Sequence, residues 1–108
     1  MQTHQIALVC EISRGAFSAE RIFRIKLPNQ EEYVGAASLD YCYTDRGRPL
    51  ESDQPPPGKT IKGKIEARFI QEKEGGTMLV AVPDGAVLTV SADQKTEFPK
   101  QVSPNVPV

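Results

Sequence analysis

Residues 61 to 69 alternate without interruption. Ile61, Gly63, Ile65, Ala67 and Phe69 fall on one parity, and Lys62, Lys64, Glu66 and Arg68 on the other. Successive side chains of an extended strand point to opposite faces, so this stretch has one apolar face and one charged face. A slip of one residue would bury the charges, so its register is strongly specified. The run extends to Gln71 and stops at Gly75-Gly76.

The same period recurs along the chain. Ile6 to Ile12 places Ile6, Leu8, Cys10 and Ile12 together, and Arg14-Gly15 ends it. Ile22 to Leu27 points Phe23, Ile25 and Leu27 inward and Arg24 and Lys26 outward, up to the break at Pro28-Asn29. Glu32 to Thr44 is a third run with Tyr33, Gly35, Ala37, Leu39, Tyr41 and Tyr43 on one parity. Its Gly35-Ala36-Ala37 segment suits a bulge, a bend or a close backbone approach, and the run is counted as one strand, with two short strands as the alternative. Met78 to Val82 is apolar on both faces, as a central strand would be. With Pro83-Asp84-Gly85 as its turn and Ala86 to Ala92 as its partner, it predicts a hairpin. The helical signal is limited to one turn at Ser18 to Arg21.

Six strands joined by short turns predict an all-β fold. The expected form is a small six-stranded barrel, SH3-like or like the second domain of translation factors, with an OB-fold as second choice. The predicted core is Leu8, Ile12, Phe23, Ile25, Leu39, Ile65, Phe69, Val80, Val82, Leu88 and Val90. Two segments stand outside the pattern. Asp45 to Thr60 has no periodicity and contains Pro55-Pro56-Pro57-Gly58, so a long proline-rich loop is expected there, a type that is often functional or disordered. Lys95 to Val108 carries Pro99, Pro104 and Pro107 and is expected to be a flexible tail. The domain expected is therefore residues 1–94, followed by a tail over residues 95–108.

Charge argues against a nucleic-acid binder held by bulk electrostatics. Thirteen Lys and Arg face fourteen Asp and Glu among 108 residues, for a formal net charge of -1. No cationic start leads into an apolar stretch, and no apolar run is long enough to span a membrane, so a cytoplasmic location is expected. Cys10 and Cys42 are too few for a secreted disulfide scaffold and lack a Cys-x-x-Cys spacing. With His4 they offer three metal ligands at most, short of the four of a structural zinc site. They read as buried, reduced small hydrophobes. Neither a metal nor a cofactor is expected.

Catalytic patterns are equally thin. Asp40, Asp45, Glu51 and Asp53 lie near one another in sequence, but loop carboxylates are usually solvated. Gly58-Lys59-Thr60 ends like a phosphate-binding loop, yet the glycine required five positions earlier is Asp53 and no helix follows. The reading is accordingly of a non-enzyme.

The strongest functional signal is basic. Lys59, Lys62, Lys64 and Arg68 lie within ten residues, Arg24 and Lys26 project from another strand, and Arg46 and Arg48 open the long loop. Tyr41 and Tyr43 are candidates for stacking on bases, and small barrels bind single strands with such a face. Phe17, in the connection after the first strand, is expected to cap one end of the barrel or to anchor a partner. Near-zero net charge and the long proline-rich loop favour a protein partner contacted through residues 45–60 and adjoining strands. An RNA- or DNA-binding stripe on the fourth strand is the alternative.

Overall fold

The structure, a computed structural model, describes residues 4–97. Among them there is no α-helix, and the fold is all-β: a curled antiparallel sheet forming a half-barrel, compatible with a small barrel. Among the described residues there are eight strands rather than six. They are β1 (His4–Arg14), β2 (Glu20–Lys26), β3 (Glu32–Ser38), β4 (Cys42–Thr44), β5 (Thr60–Lys73), β6 (Thr77–Ala81), β7 (Val87–Ser91) and β8 (Lys95–Glu97).

Two differences from the expected six have local causes. The third run splits because the 3-10 turn Leu39–Tyr41 interrupts it, with Ser38 Oγ accepting from the Asp40 N–H at 3.3 Å. The eighth strand comes from the start of the expected tail. Lys95–Glu97 pairs with Ile6–Leu8 of β1, and Thr96 Oγ1 donates to the Ala7 carbonyl at 3.0 Å. The expected boundary at residue 94 therefore falls inside the sheet. Residues 98–108, the rest of that expected tail, lie outside the described residues.

β1 and β5 form the spine. They pair from His4↔Phe69 to Ser13↔Thr60, which brings the apolar faces of both runs together. Beyond β1 lie β2 and then β3, with β8 beside the N-terminal part of β1. Beyond β5 lie β6 and β7, with β4 against residues 63–65. A bulge between Phe69 and Gln71 bends β5 where β6 takes over as its partner.

The core fills the concave side. Leu8, Ile12, Phe23, Ile25, Ile65, Val80, Val82 and Val90 are buried as expected, while Leu39, Phe69 and Leu88 pack against them partly exposed. Gly63 admits a close approach on the spine: a Cβ there would stand 2.6 Å from the Tyr43 carbonyl oxygen and 2.7 Å from Ile12 Cδ1. Gly35 marks a close approach and not a bulge. The β2–β3 register runs unbroken through it, and a Cβ would strike the rings of Phe23 and Tyr33.

The predicted hairpin forms at β6–β7. Val82 N–H donates to the Ala86 carbonyl at 3.0 Å, and Gly85 takes φ 96°. Its turn residue Asp84 accepts from the Tyr33 hydroxyl of β3, which ties the two wings of the curl.

Candidate functional site

The site is centred on Arg21 of β2. It shares the parity of Phe23 and Ile25 on β2, so pleating sends its side chain to the concave side, where it is fully buried. Its neighbour across β1 is Arg14 and across β3 is Ala37. Two cations directly opposite each other repel. Both are turned instead onto backbone carbonyls.

Arg21 Nε donates to the Gln54 carbonyl at 2.9 Å and Nη2 to the Ser52 carbonyl at 3.0 Å. Its Nη1 donates to the Ser18 and Glu20 carbonyls at 2.8 Å each. Arg14 Nε donates to the Pro55 carbonyl at 2.7 Å. A guanidinium carries five N–H donors in a rigid fork, and these contacts engage four of those of Arg21. Burial, and then the charge of Arg14, lower the Arg21 pKa from its ordinary value, with Cys42 opposing.

The consequence is an ordered loop. Residues 45–60 hold onto the sheet through three arginine bonds and two apolar plugs, Leu50 and Pro55, both buried. Leu50 N–H donates to the Cys42 carbonyl at 3.0 Å and Thr44 N–H to the Arg48 carbonyl at 2.7 Å. Farther along, Glu51 N–H donates to Gln54 Oε1 at 3.0 Å, and the Gln54–Pro55 peptide is cis. The outward side presents Arg46, Arg48, Glu51, Asp53, Pro56 and Lys59, all exposed. A segment without periodicity is thus fixed in one shape by contacts that no local pattern announces.

The ten residues singled out from the sequence do not form one surface. Arg46, Arg48 and Lys59 belong to the loop. Arg24, Lys26 and Lys62 meet at a hollow of about 210 Å³ on the convex face, shared with Glu11 and Glu32. There Glu11 stands opposite both Arg24 and Lys62, and Arg24 is 3.7 Å from Glu32. Arg68 and the exposed Tyr41 border a second hollow, of about 430 Å³, with Gln5 and Glu66.

The stripe on β5 keeps its predicted face but is not continuous. Lys62 and Arg68 are exposed, whereas Lys64 is half-buried beside Tyr43. Between them Glu66 accepts from Gln5 Nε2 at 2.7 Å, and burial raises its pKa. Tyr43 is buried at 6% exposure and so has no open face for a base. The turn at Leu39–Tyr41 changes the phase of the run and separates the two tyrosines. Phe17 caps nothing: it is 74% exposed and borders a shallow groove of about 370 Å³ with Ala19, Glu20, Ala36, Ala37 and Ser38.

Cys10 and Cys42 are free and buried on strands that flank β5, opposite Gly63 and Ile65 respectively. Burial pushes the Cys42 thiol up to about 11 against the pull of Arg21. It raises Cys10 further, with Cys42 and Glu11 adding to the effect. Such thiols are protonated and poor nucleophiles. Asp40, Asp45, Glu51 and Asp53 are all exposed. Among the described residues no three of His, Cys, Asp and Glu are grouped to hold a metal ion, and no helix is long and apolar enough to cross a membrane. Sequence reasoning missed Arg21, although its parity with Phe23 and Ile25 was the available signal. The chain matches no known family model, no curated protein and no solved structure.

Proposed function

We propose that the protein is a non-enzymatic binding module of the SH3-like kind that holds a protein partner on the outward side of residues 45–60 and adjoining strands. One observation carries this reading: Arg21 and Arg14 clamp the loop by its backbone carbonyls. Clamping by the backbone leaves side chains free to face outward. A loop already ordered loses less conformational entropy on binding than a mobile one. The cytoplasm is the proposed compartment, since two buried thiols suit a reducing environment.

The test is an affinity capture from the native host with the full chain as bait, with and without nuclease. A second bait carries Arg46→Glu and Arg48→Glu, both exposed positions whose side chains make no contact with the sheet in the bonds above. A specific protein that survives nuclease and is lost with the variant bait is the expected result. A catch equal for both baits overturns the loop as the binding surface.

A second reading rests on the hollow where Arg24, Lys26 and Lys62 converge. Single-stranded nucleic acid binds such basic hollows with strong salt dependence. Glu11 and Glu32 in the same hollow reduce its field, which places this reading second. Titration with mixed single-stranded RNA at low salt decides it: no binding removes it.

A further inference from the structure

We infer that two copies of this chain pair through β3, antiparallel and in one register, to make a continuous sheet. β3 is the outermost strand on its side, and among the described residues nothing pairs beyond it. The direction of its free backbone groups follows from the bonds bracketing the β2–β3 ladder. Leu27 N–H donates to the Glu31 carbonyl at 2.8 Å and Leu39 N–H to the Ala19 carbonyl at 2.7 Å. With the register between them unbroken, Tyr33, Gly35 and Ala37 direct their N–H and C=O groups at β2. Glu32, Val34, Ala36 and Ser38 direct theirs away from it. Among the described residues, the Ser38 carbonyl alone of these has another partner, a weak 3.7 Å contact from Cys42 Sγ.

Such an edge is normally blunted by Lys, Pro or a bulge. Residues 33–37, Tyr-Val-Gly-Ala-Ala, have none of these. The opposite outer strand, β7, has the turn residues Leu27, Pro28 and Asn29 alongside Val87, Leu88 and Thr89 at a shared hollow. β3 thus presents an edge with none of these blunting features and, among the described residues, no strand beyond it.

A second copy fits this edge better than an arbitrary strand because β3 is complementary to itself. A two-fold axis at Gly35 pairs Val34 with Ala36 and Glu32 with Ser38, each twice. All four outward-directed residues then find outward-directed partners. Moving the axis by one residue leaves one of the four unmatched at each end. No like charges meet in this register, because Glu32 faces Ser38 and is already beside Arg24 and Lys26 of its own copy. Side chains agree as well. Val34, 47% exposed, lands on Ala36 of the second copy, at the groove that Phe17 borders. An isologous contact of this kind closes on two copies and does not grow into a fibre.

Sedimentation equilibrium of the full chain over a wide concentration range is the first measurement. A dimer fraction that rises with concentration is expected, with the dissociation constant weakened at least tenfold by Val34→Lys or Ala36→Pro. Proline at 36 removes an N–H that the β2 ladder does not use. Cysteine cross-linking gives an independent readout should those variants fail to fold. A mixture of Val34→Cys and Ala36→Cys chains should cross-link faster than either alone, since directly paired residues lie about 5.5 Å apart and diagonal ones about 7–8 Å. A monomer at all concentrations overturns the inference, and so does a dimer indifferent to both edge variants. Fastest cross-linking of Val34→Cys with itself, or a monomer whose edge takes up only another protein's strand, does the same.

Discussion

Arg21 brings a full positive charge to a site with no measurable exposure and no carboxylate among its hydrogen-bond partners. Burying a charge is unfavourable unless it is thoroughly hydrogen-bonded. Here four bonds to carbonyl oxygens supply that. They come from two separate segments, the β1–β2 turn and the proline-rich loop, so one side chain joins both. Removing it takes the guanidinium donors from the part-buried carbonyls of Ser18, Ser52 and Gln54, while the Glu20 carbonyl keeps the Gly15 N–H, and an acceptor left unsatisfied costs about 1–3 kcal/mol. Arg21→Ala is expected to lower unfolding stability by about 3–5 kcal/mol, in the range of a broken buried polar network. Arg21→Lys keeps the charge but loses the planar fork, so it should recover only part of that loss. Urea denaturation of the three proteins reads the order directly. A loss below about 1 kcal/mol for Arg21→Ala would show that water replaces the guanidinium and that the clamp is not structural.

At the scale of elements, the curl is held by a contact between distant wings, Tyr33 on β3 and Asp84 in the β6–β7 turn. The Tyr33 hydroxyl donates to the Asp84 carboxylate, whose other oxygen accepts from the Ala86 N–H at 3.0 Å. The bond to Asp84, followed by burial, raises the Tyr33 pKa above 10.0. The folded state thus holds the phenolic proton more tightly than the unfolded state does. Stability from this bond is fully present below about pH 10 and is lost as pH rises through the raised folded value. Tyr33→Phe should therefore cost about 1 kcal/mol at pH 8 and progressively less towards pH 11. Urea midpoints of both proteins across that range test it, and a difference independent of pH would contradict it. What the sequence made legible at this scale was the period. β5 and the β6–β7 hairpin were readable because alternation and turn chemistry act within a few residues. The phase change at Leu39–Tyr41 was not, since a three-residue turn leaves no periodic trace and Tyr43 shares the parity of Tyr41 in the sequence. β8 was hidden for a related reason: three residues beside a proline-rich segment acquire their strand from pairing with Ile6–Leu8. The order of the 45–60 loop lay beyond reach because its determinants, Arg14 and Arg21, stand some thirty to forty residues away.

Across the whole molecule, the β1–β5 pair is the structure on which every other strand depends, directly or through one neighbour. Opening the concave face anywhere along it requires parting strands whose partners are far away in sequence. Cys10 and Cys42 sample that face from both sides of β5, one on β1 and one on β4. Both thiols are buried, and the Cys42 pKa near 11 leaves little thiolate at neutral pH even before access is considered. Cys10 lies mid-strand on β1, and Cys42 lies on β4 beside the clamped 45–60 loop, so a single cooperative fold protects both. Their alkylation should then follow the cooperative opening of the sheet, where exchange and labelling report the global free energy. With iodoacetamide at pH 8 the two sites should react together and slowly, and both should accelerate in parallel as urea lowers stability. The destabilised Arg21→Lys chain should raise both rates by the same factor. If Cys42 alone labels rapidly while Cys10 stays protected, β4 and the loop open as a separate unit. The arginine clamp would then be a gate and not part of a single cooperative fold.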